Sequence, residues 1–144
     1  MSGIGRRVVL VVSASLALPA RSVSQIELDQ AIRSWARAPV TEGRVKLAIE
    51  PLVDNGNAVP VAVTVDSPMT PADHVREIVI FNEKNPQREV ARFDLSPASG
   101  RAAVATRIRL ARSQKVVALA RMGDGSCWSH TVDVIVTLAA CIES

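Results

Sequence analysis

Two cysteines and two histidines hold most of the reactive chemistry in this chain, and their placement excludes more than it permits. His74 falls in a loop and His130 on the last strand. Neither has metal-ligand spacing with Cys127 or Cys141. Each histidine reads as a satisfied or solvent-exposed side chain. No Gly-rich phosphate loop and no nucleophile elbow occurs, so the sequence contains no complete active site of its own and points to no metal or cofactor. What remains is Cys141, in the tail Ala139-Ala140-Cys141-Ile142-Glu143-Ser144, just past an alternating strand with Val132, Val134, Val136 and Leu138. A thiol at such a place is weakly held by packing and can reach into another protein's pocket. Its reactive form is the thiolate, a few per cent of a free thiol with pKa near ~8.5 at neutral pH. Glu143 and the terminal carboxylate disfavour that anion further. The alternative is a tail cysteine with no chemistry at all.

The chain of 144 residues allows one compact domain with appendages. Abundant Val, absent Tyr and evenly spread charge suit an all-β domain. The net charge of +3 falls to +1 when Arg6 and Arg7 leave with a leader, which is no electrostatic footprint for nucleic acid. Residues 1–20 are expected to be an export signal: Arg6-Arg7 supply the basic region, Val8 to Leu18 the apolar run and Leu18-Pro19-Ala20 a small-residue cleavage site. That run is too short for a bilayer span of roughly 20 residues, so no membrane anchor is expected. The paired arginines also permit the twin-arginine route, with Val9 and Val11 where that signal commonly has Phe and Lys.

The elements that must position Cys141 follow from periodicity. Ile26 to Ala38 reads as an amphipathic helix with Leu28, Ile32 and Trp35 on one face, stopped by Pro39 and packed on the end of a sandwich or docked to a partner. From Arg44 the period changes to two. Val45-Leu47-Ile49 alternate, Asp54-Asn55-Gly56-Asn57 turns, and Val59 to Val65 points four valines to one face, with Pro60 marking an edge or a strand start. Strands are expected at Val75 to Asn82, Arg88 to Leu95, Ala102 to Leu110, Lys115 to Met122 and Ser126 to Leu138, the last two joined by the tight turn Gly123-Asp124-Gly125. Arg101, Arg107 and Arg109 form an outward row, a solvated face or a contact for an anionic partner. About seven short strands with regular turns form the pattern of an immunoglobulin-like β-sandwich with a short N-terminal helix. By strict alternation Cys127 lies opposite Trp128 and Val132, off the core, unless a bulge reverses the parity. If one strand holds both cysteines, roughly 46 Å separates them, far beyond the ~7 Å between Cα atoms that a disulfide allows. This argues against an intrachain bridge and leaves an intermolecular one through Cys141 open.

Several stretches then carry a family likeness: Thr41-Glu42-Gly43-Arg44-Val45-Lys46-Leu47, Asn55-Gly56-Asn57-Ala58-Val59-Pro60-Val61, Val65-Asp66-Ser67-Pro68-Met69-Thr70, Ser96-Pro97-Ala98-Ser99-Gly100-Arg101-Ala102 and Thr106-Arg107-Ile108-Arg109-Leu110-Ala111. From about the helix to Leu138 the chain resembles SoxY, the sulfur-carrier subunit of the bacterial Sox thiosulfate-oxidising system. The resemblance implies an immunoglobulin-like sandwich, a periplasmic location and a heterodimer with a SoxZ-like subunit. It also implies a non-catalytic carrier, in which a cysteine on a C-terminal arm forms a covalent adduct with thiosulfate. The Sox cytochromes, a hydrolase and a dehydrogenase would be its transient partners. By position that cysteine is Cys141. The family's arm is Gly-Gly-Cys-Gly, whereas here Ala139, Ala140 and Ile142 flank the thiol, giving a stiffer, bulkier and more acidic arm. The resulting plan is a signal at 1–20, a helix and linker at 21–43, the sandwich at 44–138 and the arm at 139–144. Two functions fit it: a sulfur carrier, or a divergent paralogue that pairs with a SoxZ-like subunit and carries nothing.

Overall fold

The computed structural model describes residues 3, 5 and 9–138 of the chain. One α-helix, nine strands and a single 3-10 turn at Pro97–Ser99 are present among them: α1 (Val23–Ala36), β1 (Val40–Glu42), β2 (Val45–Ala48), β3 (Leu52–Val53), β4 (Val59–Val65), β5 (Val75–Asn82), β6 (Glu89–Asp94), β7 (Ala103–Ile108), β8 (Gln114–Met122) and β9 (Cys127–Val136). A three-stranded antiparallel sheet, β2-β4-β7, faces a larger one in the order β1-β9-β8-β5-β6, with β3 also paired to β9. The alternating residues make this a sandwich. Val59, Val61, Val63 and Val65 on β4 meet Ile78 and Ile80 on β5, Val116, Ala118 and Ala120 on β8, and Val134 on β9 in one core. Each valine or isoleucine side chain among them, when fully buried, contributes roughly 1.5–3 kcal/mol.

β1 and β3 were not expected from the sequence, and both pair parallel to β9 along one edge. Val40–Glu42 lies beside Cys127–Ser129, and Leu52–Val53 beside Ile135–Val136, while β2 crosses to the other sheet in between. Segments of two or three residues show no periodicity. Pro60 lies on β4, the central strand of its sheet, so the edge reading does not hold. It does sit near the strand's start, where β7 pairs with it and β2, whose register ends at Ala48–Ala62, does not reach.

The helix starts three residues earlier than its hydrophobic pattern suggests, because Ser22 and Gln25 form a reciprocal capping box. It ends at Ala36, with Arg37 in the left-handed conformation donating its N–H to the Arg33 carbonyl. A helix of this length is marginal in water by itself. Its stability comes from laying Leu28, Trp35 and Ala36 on Val79, Phe81, Val117 and Leu119, so it covers the outer face of the larger sheet rather than the sandwich end. A polar clasp holds its C-terminal end: Trp35 Nε1 donates to Glu77 Oε1 at 2.5 Å, and the Arg121 guanidinium lies 4.3 Å from the Trp35 ring centroid and donates to the Trp35 carbonyl. Glu77 also pairs with Arg121 at 3.4 Å and with Arg92 at 3.5 Å. Arg92 in turn forks onto Glu89, and that hydrogen bond holds the Glu89 carboxyl below its ordinary pKa against the opposing effect of burial.

Candidate functional site

The sequence assigns its chemistry to the end of the last strand, and the structure shows how that end is fixed. The Ile135 N–H donates to the Pro51 carbonyl at 2.8 Å and the Thr137 N–H to the Val53 carbonyl at 3.0 Å. On the opposite side, Ser113 Oγ accepts from the Val136 N–H at 2.8 Å. Thr137 Oγ1 donates to the Asp54 carbonyl at 3.2 Å. The turn expected at Asp54–Asn57 also anchors this end, since the Gly56 N–H donates to the Leu138 carbonyl at 2.9 Å, while the Gly56 carbonyl accepts from the Leu110 N–H at 2.8 Å. Leu138 is thereby tied through Gly56 to the chain leaving β7. Backbone donors and acceptors paired on both sides of a strand end hold its direction as well as its position.

Cys141, with Ala139, Ala140 and Ile142, lies outside the described residues, as do Arg6 and Arg7. Cys127 is described, and it is a free thiol only 2% exposed. Its parity is the one alternation gives, opposite Trp128, but its face is buried because α1 lies across it. The sulfur's polar contacts are long ones, 3.8 Å to the Ala36 carbonyl and 3.7 Å to the Gly125 carbonyl. No bulge is needed to bury it, since both faces of β9 are covered at this end. Enclosure of that kind suits packing and shuts out a substrate.

His130 is satisfied as expected: its Nδ1 accepts the Leu47 N–H at 2.9 Å. Leu47 belongs to β2, the edge strand of the smaller sheet, so this side chain caps an edge donor from across the sandwich. An acceptor Nδ1 requires the proton on Nε2. His74 departs from expectation. Its Nδ1 is buried without a hydrogen-bond partner among the described residues, and its ring lies so close to Gly123 that a Cβ there would stand 2.4 Å from ring Cε1. Arg107 and Arg109 are exposed, as their row predicts, and Arg101 lies ahead of β7. Among the described residues no group of His, Cys, Asp and Glu could hold a metal ion, and no helix is long and apolar enough to cross a membrane. Sequence reasoning missed the anchoring role of Pro51–Val53 and of Gly56. The turn residues were legible, but their partner was not.

The family described as sulfur oxidation protein SoxY matches residues 32–141. Among solved structures the chain is similar to the sulfur carrier protein SoxY from Chlorobium limicola f thiosulfatophilum, at 28% identity over 79% of this chain and 99% of that one, with a TM-score of 0.66. It is also similar to a superoxide reductase (neelaredoxin) from Ignicoccus hospitalis, at 19% identity over 65% of this chain and 80% of that one, TM-score 0.57. A superoxide reductase from Nanoarchaeum equitans is 12% identical over 67% of this chain and 100% of that one, TM-score 0.57. The last two likenesses are of fold alone. No curated protein matches the chain by sequence. The family match takes in most of the chain, from within α1 through every strand of both sheets to Cys141, and the chain belongs to the SoxY family.

Proposed function

We propose that this chain is a periplasmic sulfur carrier that holds thiosulfate-derived intermediates on Cys141 and works as a heterodimer with a SoxZ-like subunit. The observation that carries this reading is the family match, which runs on past the anchored strand end to Cys141 itself. The solved relative of 28% identity is named a sulfur carrier, and its near-complete coverage supports transfer of that role. Loading would join the Cys141 sulfur to the outer sulfur of thiosulfate. One S–S bond forms, the thiol proton goes to solvent, and two electrons leave to the Sox cytochromes as oxidant. Hydrolase and dehydrogenase partners would then act on the adduct while the carrier supplies only attachment. The leader at 1–20 would deliver the chain to the periplasm, so protein recovered there should begin near Arg21.

Ala139, Ala140 and Ile142 favour a second reading, a paralogue that pairs and does not carry. Intact-mass analysis after incubation with thiosulfate and the Sox cytochromes separates the two. The carrier should gain a thiosulfate-derived mass that Cys141→Ser lacks and Cys127→Ser keeps. Restoring glycine at 139, 140 and 142 should raise the loading rate by freeing the backbone. An adduct that forms on the glycine-restored chain and never on the native one would establish the second reading.

A further inference from the structure

The two ladders that flank β9 run out near its C-terminal end. On one side β8 begins at Gln114, opposite Val134, and on the other β3 ends at Val53, opposite Val136. Where backbone partners run out, two hydroxyls take their place. Ser113 Oγ accepts the Val136 N–H at 2.8 Å and lies 3.5 Å from the Val136 carbonyl, so one side chain meets both backbone polar groups of that residue. From the other edge, Thr137 Oγ1 lies 3.2 Å from the Asp54 carbonyl and 3.4 Å from that of Val53, within reach of either for its single proton. Element ends open most easily, because few contacts hold them. Here side chains grip the end from both edges.

Chain length gives this grip its consequence. Three peptide units separate Leu138 from Cys141, a reach between Cα atoms of at most roughly 11 Å. A chain released from Ile135 onward has six units, and its reach doubles. We propose that Ser113 and Thr137 are positioning residues that set the pivot of the Cys141 arm at Leu138 and so hold its free length to three peptide units. Gly56 secures the same pivot with its N–H on the Leu138 carbonyl. Once a tether is long enough to span its site, the effective concentration of the tethered group falls as about the −3/2 power of tether length. A short arm therefore presents its thiol more often at one place. The inference rests on the carrier reading, and it holds whichever partner encloses the thiol.

The test compares the native chain, in the heterodimer with a SoxZ-like subunit, with two double variants. Ser113→Ala with Thr137→Val removes both hydroxyls at little change of shape, and Ser113→Thr with Thr137→Ser keeps both. Thr137→Val alone, at an exposed position past the end of β9, serves if the first double variant is unstable, with a smaller effect in the same direction. Distances are read by pulsed electron spin resonance between nitroxides on Cys141 and on Ala98→Cys, an exposed position in the 3-10 turn ahead of β7. Loss of the hydroxyls should extend the far limit of the distance distribution by up to about 11 Å. The hydroxyl-retaining variant should match the native chain. Conjugation of thiosulfate by the Sox cytochromes should keep its KM for the carrier and lose roughly threefold in kcat without the hydroxyls, as a doubled tether requires, with kcat restored where the hydroxyls are kept. The rate at which a small disulfide reagent labels Cys141 should not change. An unchanged distance distribution in the hydroxyl-free variant overturns the inference. A wider distribution with kcat unchanged makes the two hydroxyls merely structural, and a raised KM with kcat retained gives them a docking role; either overturns positioning. A native chain that never loads removes the carrier reading and the positioning role with it, while the distances still report where the pivot lies.

Discussion

At the scale of single residues, the two thiols differ in access rather than in kind. Cys127 is enclosed by α1 and the β8–β9 turn, so a thiol reagent applied to the native protein should label Cys141 and leave Cys127 until denaturant is added. Peptide mapping by mass spectrometry reads this directly, and prompt native labelling of Cys127 would contradict the packing described. His130 offers a second test. His130→Ala strands the Leu47 N–H and should cost about 1 kcal/mol, seen as a lower denaturant midpoint with an unchanged slope. In the native protein, nitrogen NMR should find the Nε2–H tautomer. The face on which Cys127 lies was legible because side-chain alternation is strictly local. Its burial was not, because the covering layer is a helix whose last residue, Ala36, stands 91 positions earlier in the chain. Amphipathicity gives a helix a buried face without naming what it meets.

At the scale of elements, α1 depends on one carboxylate. Glu77 accepts from the Trp35 indole and faces both Arg92 and Arg121. Glu77→Ala leaves an indole N–H and two guanidinium groups without their shared acceptor, so it should destabilise by roughly 2–3 kcal/mol. Loss of amide-exchange protection should concentrate in α1. Uniform loss throughout the sandwich would mean that the helix is not held as a separate unit by this clasp. The longer elements were readable from the sequence because their side chains repeat: from Ala102 to Leu110, buried or half-buried positions alternate with exposed ones as the residue types dictate. β1 and β3 exist only through their pairing with β9, and such short segments carry no pattern before the partner is known. The helix start was written in Ser22 and Gln25, a capping box that apolar spacing alone overlooks.

At the scale of the molecule, the proposed heterodimer would make this chain half of an assembly. Under that reading the chain expressed alone should self-associate or dissolve poorly, since the surface a SoxZ-like subunit would cover is then open to water. Co-expression should give one defined complex by light scattering. A well-behaved monomer that ignores the SoxZ-like chain would count against the heterodimer. The C-terminal thiol was legible as a candidate because it follows the last alternating run. The scaffold beneath it was not, because Gly56, Val53 and Leu138 meet only after the two sheets have closed.

The pairing along β9 has a mechanical consequence. An arm drawn into a cavity and later withdrawn transmits tension to Leu138 and along the strand axis. Hydrogen bonds of an antiparallel pair stand perpendicular to the strand, so those joining β9 to β8 over Gln114 to Arg121 bear such a pull in shear, side by side. The parallel contacts with β1 and β3 brace the other edge at both ends. A tug on the tail cannot unzip the sheet one bond at a time; it has to slide the whole strand against its neighbours.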